Sequence, residues 1–263
     1  MVYINDNKFN NINLDSNNFG VVIDFDATIT TRGVNDSWNT LTNPSFINPN
    51  LSKDIAKLEE KYFPIELDYS IDEKTKFAYM EEWHLRTIDL FFEYGLTKDI
   101  LSNCVKFSTL KLRMGAKNFF EELYNKGIPV FIISAGIRNV IVEFLRINDC
   151  YYDNMYIVGN NIEFENGKMV KFKDSILHSA NKTIDILPAY LKENILNMDY
   201  ILLFGDLITD INMIPKKLLS KTLCFGFLDK NIETNTEFYK NSFDVVLTDN
   251  ASFDDAIGVL KKF

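Results

Sequence analysis

A chain of 263 residues, 46% apolar and 25% charged, has the composition of a folded protein with a sizeable core, long enough for one large domain or a core with an insert, and this excludes a disordered chain. Its formal charge of −9, without a long basic run, excludes wrapping of a nucleic-acid polymer, and no window approaches the ~20 apolar residues of a membrane-spanning helix. Cys104, Cys150 and Cys224 are too few and too scattered for a disulfide framework or a zinc knuckle, so reduced thiols in a cytoplasmic protein are expected.

The N-terminal stretch lacks the apolar core of a signal peptide. A strand is predicted over 20–25, apolar on both faces as in a buried parallel sheet, and it runs into Asp24-Phe25-Asp26-Ala27-Thr28. Side chains two apart on an extended chain share a face, so Asp24 and Asp26 are expected to point the same way. Carboxylates so placed repel unless they share a proton or a cation lies between them, and oxygen donors suit Mg²⁺. Residues 31–112 then break the strand rhythm, with helices predicted over 51–62, 72–90 (Asp72 as N-cap) and 97–108: a helical insertion large enough to act as a lid. Beyond it come a helix over 116–126 closed by Gly127, a strand over 129–134, a helix over 138–147 and a strand over 155–158. Asn166-Gly167 marks a hairpin within 161–172, and strands follow over 200–205, 222–227 and 243–247. This alternation predicts an α/β fold, a Rossmann-like parallel sheet flanked by helices. It divides into a core of 1–30 and 113–263 and a mostly helical cap of 31–112 inserted after the first strand.

In such sheets sites form at the carboxyl ends of the strands, and four features fall in order along the chain. They are Asp24-x-Asp26-x-Thr28, Ser134-Ala135-Gly136, Lys182 in the stretch after the hairpin, and Gly205-Asp206 with Asp210 four residues on. Phosphoryl transfer needs such a set. A carboxylate can attack phosphorus, a neighbouring acid can protonate the leaving oxygen and later activate water, and a hydroxyl, backbone N–H groups and a lysine can hold the remaining oxygens while Mg²⁺ neutralises charge. Alone, each piece has a plain reading: a chance string, a turn serine, a solvated lysine, a helix cap. Their order along an α/β chain is far more specific.

The four motifs resemble, in order, those of the haloacid dehalogenase superfamily of phosphatases. KYFPIELDYSIDEKTKFAYMEEW at 61–83, PVFIISAGIRNVI at 129–141, the FK…ILH…NK stretch at 172–182 and LLFGDLITDINM at 202–213 resemble cytosolic 5′-nucleotidase III, the pyrimidine 5′-nucleotidase family, with the likeness running from about residue 20 to the C-terminus, helical cap included. The resemblance implies that Asp24 is the nucleophile and Asp26 the general acid/base. It implies Mg²⁺ held by the Asp24 carboxylate, the Asp26 main-chain carbonyl and Asp206, with Asp210 supporting the metal shell. Ser134 and Ala135 would contact the phosphate and Lys182 would pair with it. In the cap, Glu66 matches a glutamate that reads the nucleobase, and Thr87 falls where the family places a serine that reaches base or sugar. Ala27 stands where family members often carry Met, and the segment 30–40 differs from the family's usual residues.

Trp38 and Trp83 are candidates to stack on a base, with packing inside the cap the favoured reading of Trp83. His84 and His178 have no second ligand at zinc spacing, and His178 is expected to shape the Lys182 loop. The expected function is a Mg²⁺-dependent 5′-nucleotidase acting on nucleoside 5′-monophosphates, pyrimidine or 7-methylguanosine, through an aspartyl-phosphate. The rivals are a phosphatase or phosphotransferase for another small phosphate monoester such as phosphoserine, and an inactive nucleotide-binding protein. The partners expected are a small nucleotide, no nucleic-acid polymer and no membrane, with the chain a monomer or weak homo-oligomer.

Overall fold

The computed structural model describes residues 2–4, 18–33, 35–68, 70–172 and 175–261. Nine strands are described: β1 (Val2–Ile4), β2 (Phe19–Ile23), β3 (Val130–Ile137), β4 (Met155–Asn160), β5 (Phe164–Glu165), β6 (Lys168–Met169), β7 (Tyr200–Gly205), β8 (Thr222–Leu228) and β9 (Val245–Thr248). Seven of them form one sheet in the order β1-β9-β8-β7-β2-β3-β4, while β5 and β6 pair as a hairpin. All neighbours in the large sheet run parallel except β1, which lies antiparallel to β9 with Tyr3 opposite Val246. That edge strand was not expected, because three residues carry too little periodicity to announce a strand.

The chain leaves β2 for β3 and β4 on one side and returns to β7, β8 and β9 on the other. The strand order therefore reverses at β2, and a crevice opens beyond its carboxyl end, flanked by the ends of β3 and β7. The strands are apolar throughout because both faces are covered. Val21, Ile23, Ile132 and Phe204 belong to the cluster on one face, and Val22, Phe131, Ile133 and Leu203 to that on the other.

Among the described residues eight α-helices accompany the sheet: α1 (Asn50–Leu67), α2 (Glu73–Glu93), α3 (Lys98–Lys106), α4 (Ala116–Asn125), α5 (Arg138–Ile147), α6 (Ala189–Leu196), α7 (Ile232–Ser242) and α8 (Phe253–Leu260). The Asp72 carboxylate caps α2 by accepting from Thr75 N at 3.0 Å, and Gly127 leaves α4 with φ +65°. At the hairpin tip Asn166 and Gly167 both take positive φ (49° and 79°), as a tight turn of that type requires. The first helix was expected to stop near Tyr62. It continues through Pro64 to Leu67, and this places Glu66 on its last turn. The helices between β2 and α4 do not form a core of their own: Ile88, Phe91, Leu101 and Val105 share one apolar cluster with Val21, Ile132 and Phe204 of the sheet.

Candidate active site

Where β2 ends the chain stays extended at Asp24 and then coils tightly over Phe25–Ile29. Ala27 takes the left-handed conformation (φ 58°), which costs an alanine roughly 1 kcal/mol, and it is held there from both sides. Ala27 N donates to Thr30 Oγ1 at 3.0 Å, and the buried Arg113 guanidinium, paired with Asp229 at 2.8 Å, donates to Ala27 O at 2.5 Å and Thr28 O at 2.8 Å. On the neighbouring strand, β3 matches β4 at Ile133↔Val158 and again at Ile137↔Asn160, so Ser134, Ala135 and Gly136 bulge from the ladder and turn toward the crevice. Trp38 Nε1 and Asn160 Nδ2 donate to the Ala135 carbonyl at 3.1 and 2.7 Å and pin the bulge. Beyond β7, Asp210 Oδ2 accepts from the backbone N of Asp206 and of Leu207, both at 3.0 Å. A side chain at Gly205 would stand 2.5 Å from Asp210 Cβ, which explains the glycine before the acid.

The ends of β2 and β7 bring Asp24, Asp206 and Asp210 together, buried, with carboxylate oxygens within 4.8 Å of one another. Lys182 enters from the loop after the hairpin, buried, and its ammonium bridges Asp24 Oδ1 and Asp210 Oδ1, the latter at 2.8 Å. Arg32, which the sequence did not single out, donates to Asp206 Oδ2 at 2.6 Å. Burial pushes Asp24 up to about 7 against the pull of Lys182, with Asp210 and Asp206 adding to the rise. Asp206 likewise rises to about 7 by burial against Arg32. Burial also opposes the charge on Lys182, but Asp210 and Asp24 outweigh it and hold the ammonium above its ordinary value. Three buried acids turning their carboxylate oxygens to one small space form a donor set that fits a hard divalent cation.

The Asp26 carboxylate is not in that cluster. It faces the same cavity but is gripped by Ser37, which donates from its N to Oδ1 at 2.8 Å and from its hydroxyl to Oδ2 at 2.5 Å. Burial, with Asp36 adding, pushes Asp26 up to about 8 against the Ser37 hydrogen bonds. The two aspartates of the opening motif thus share a cavity while standing in separate partnerships.

The cavity above them encloses about 660 Å³ and reaches from this cluster to the α1 and α2 helices. Glu66, Trp83, His84 and Thr87 line its far end. Glu66 accepts from the Ser179 hydroxyl at 2.7 Å, and burial holds its carboxyl above the usual range. The Thr87 hydroxyl donates to the Trp83 carbonyl of its own helix at 3.0 Å, so its proton is already engaged. Trp83 stacks on Tyr62 (centroids 6.0 Å apart, 14° between planes), the packing contact expected of it, and also lines the cavity. Trp38 meets His84 edge-on at 4.9 Å, and Asn39 ties Glu59 into the wall at 2.7 Å. His178 is buried in the Lys182 loop, where its Nδ1 accepts from Ala180 N at 3.2 Å, a shaping contact as expected. The sequence singled out Asp24, Asp26, Ser134, Ala135, Lys182, Asp206, Asp210, Glu66 and Thr87, and the structure brings all nine to one cavity. It passed over Arg32, Asp36 and Ser37, which lie in a segment without periodic pattern where only Asp36, a turn acid three before Asn39, carried a local signal, and Glu59, which reads as one more acid on a helix.

The pyrimidine 5′-nucleotidase (UMPH-1) family model matches residues 26–263. The chain belongs to this family. Membership makes it a 5′-nucleotidase, a hydrolase of phosphoric monoesters. It is 33% identical over 250 residues, 92% of this chain and 86% of the relative, to 7-methylguanosine phosphate-specific 5′-nucleotidase A of Xenopus laevis. It is 31% identical over 252 residues, 92% of this chain and 83% of the relative, to the enzyme of that specificity from Homo sapiens. Among solved structures, cytosolic 5′-nucleotidase IIIB bound to cytidine matches with a TM-score of 0.83 at 26% identity, covering 99% of this chain and 92% of that one. A phospho-aspartyl intermediate analogue of phosphoserine phosphatase matches with a TM-score of 0.59 at 17% identity, covering 94% of this chain and 98% of that one, a likeness of fold. The sheet and its flanking helices have the haloacid dehalogenase fold. Among the described residues no helix is long and apolar enough to cross a membrane.

Proposed function

We propose that the enzyme hydrolyses nucleoside 5′-monophosphates through an aspartyl-phosphate on Asp24, with cytidine and 7-methylguanosine monophosphates as preferred substrates. The observation that carries this reading is the single cavity with two unlike ends. The buried acids, Lys182 and Ser134 lie at one end, and aromatic rings with Glu66 lie at the other, in a space far larger than a small amino-acid phosphate fills.

In this reading residues 31–112 act as the cap over a core of 1–30 and 113–263. The Asp24 carboxylate forms a bond to phosphorus as the bond from phosphorus to the 5′-oxygen breaks. The electron pair stays on that oxygen, which takes a proton from Asp26. In the second half a water gives a proton back to Asp26 and its oxygen bonds to phosphorus, and Asp24 leaves as carboxylate with inorganic phosphate released. Lys182 and the Ser134–Ala135 bulge hold the oxygens that gain charge. The Asp24 and Asp206 carboxylates and the Asp26 main-chain carbonyl, supported by Asp210, would hold Mg²⁺, which supplies charge neutralisation at the phosphate. The three buried acids, with carboxylate oxygens within 4.8 Å of one another, support that assignment.

The base end pairs carboxylates with ring faces. Such a wall suits a base that carries positive charge or presents N–H donors, as 7-methylguanine and the cytosine amino group do. The relatives named for 7-methylguanosine phosphate and the neighbour holding cytidine agree with this choice. A cytoplasmic enzyme with a small nucleotide as its partner completes the reading. Steady-state kinetics over a panel test it. kcat/KM for cytidine or 7-methylguanosine monophosphate is expected to exceed that for phosphoserine at least about tenfold, as remote binding contacts would give; equal values would overturn it.

A further inference from the structure

Ser37 makes contacts that the chemistry described so far leaves without a purpose. It is fully buried at the entrance to the helical segment, eleven residues beyond Asp26 in sequence. Its backbone N–H and its hydroxyl take one oxygen each of the Asp26 carboxylate, at 2.8 and 2.5 Å. The hydroxyl is itself aimed: it accepts from Ile137 N at 3.3 Å, so its lone pair is engaged by β3 and its proton faces Asp26. A third element is shaped around the pair. A side-chain carbon at Gly136 would stand 2.1 Å from Ser37 Oγ and 2.8 Å from Asp26 Oδ2.

Two donors on two oxygens fix both the position and the plane of a carboxyl group. Both of these approach from the Ser37 side. The lone pairs left for an exchangeable proton are those turned away from Ser37, and Asp26 lines the cavity in which a leaving oxygen would lie. A carboxyl free to rotate would spend part of its time with that proton turned away, and general acid catalysis depends on reach and direction.

We propose that Ser37 is a positioning residue: it clamps Asp26 so that the acid's proton is presented to the leaving 5′-oxygen, and Gly136 is glycine because this clamp occupies its side-chain space. The inference rests on the reading of Asp26 as general acid/base. Because Trp38 donates to the Ala135 carbonyl, the same short segment holds the acid on one side and the phosphate bulge on the other.

The test uses leaving-group dependence. Expulsion of an alkoxide needs a proton, whereas expulsion of p-nitrophenolate hardly does, and kcat/KM reports formation of the phosphoenzyme. Asp26→Asn is expected to lower kcat/KM far more for cytidine monophosphate than for p-nitrophenyl phosphate. Ser37→Ala, which keeps the backbone N–H on Oδ1, is expected to show the same asymmetry at smaller size. The expected loss is roughly ten- to a hundredfold on the nucleotide, part of the 10²–10⁴ a general acid contributes, and about threefold or less on the aryl phosphate, with KM little changed. Ser37→Cys, which keeps the backbone N–H and a side chain of similar size but donates only weakly, should reproduce the asymmetry; it also serves as the readout if Ser37→Ala does not fold. Equal losses on both substrates in either folded Ser37 variant, with the asymmetry present in Asp26→Asn, would overturn the clamp. Absence of asymmetry in Asp26→Asn would instead overturn the role given to Asp26.

Discussion

Proton linkage offers a quantitative check on the buried acids. Asp24 and Asp206 are raised to about 7 and Asp26 to about 8, each by burial above an ordinary value of 3.8. A carboxyl raised in the folded state stabilises the fold below its unfolded pKa and loses that contribution as pH climbs through the folded one. In the metal-free protein the three acids together hold about two protons at pH 7 and about 0.3 at pH 8.5, while the unfolded chain holds almost none there. Integrating the difference gives a loss of about 2 kcal/mol across that window. His84 and His178, lowered by burial to about 4 and about 3, act in the opposite direction. Their contribution is gained as pH rises through the unfolded value near 6.5, so it offsets only a few tenths of a kcal/mol above pH 7. The expected result in a chelating buffer is a melting temperature about 4–8 °C lower at pH 8.5 than at pH 7. Added Mg²⁺ should raise stability more at pH 8.5 than at pH 7, because the cation takes the place of the lost protons. Metal-free stability that stays level or rises across this window would refute the claim that these carboxyls are strained as anions.

Other outcomes follow from the same contacts. Lys182→Met leaves Asp24 and Asp210 without their shared ammonium, so it should cost roughly 3–5 kcal/mol in urea unfolding. Adding Asp210→Asn, which removes one of those acids, should return part of that loss. Glu66→Gln should lower kcat/KM for 7-methylguanosine monophosphate by roughly 10–100-fold, the loss expected when a charged hydrogen-bond partner of the base is removed, with a much smaller effect on p-nitrophenyl phosphate. A chelator should stop turnover and Mg²⁺ restore it; undiminished turnover in the chelator would count against the metal role.

The strands around the site were legible because each is apolar on both faces and ends in a residue that does not belong in a core. Asp24 after Ile23 and Asp206 after Gly205 stand out for that reason alone. The order of the motifs also pointed to Ser134 and Lys182, and both line the cavity, although Lys182 reaches Asp24 across 158 residues. Legibility failed where a contact joins segments with no shared pattern. Arg32 meets Asp206 across 174 residues, and Ser37 meets Asp26 across a stretch that is neither strand nor helix. Two-residue spacing predicted that Asp24 and Asp26 would face one way, and both do line one cavity; what spacing could not show is that Ser37 holds the second carboxylate apart from the acid cluster. Pro64 misled in the other direction: a helix that runs through its proline carries Glu66 into the cavity from a position that reads as a helix flank.

The central claim is that phosphate passes through Asp24, and acid-quench trapping tests it most directly. Enzyme mixed with radiolabelled cytidine monophosphate, quenched in acid within the turnover time and digested, should carry its label on the peptide containing Asp24. The Asp24→Asn variant should still unfold in one cooperative transition, retain no label and release no phosphate. Label on a different residue, or steady phosphate release by Asp24→Asn, would contradict the account.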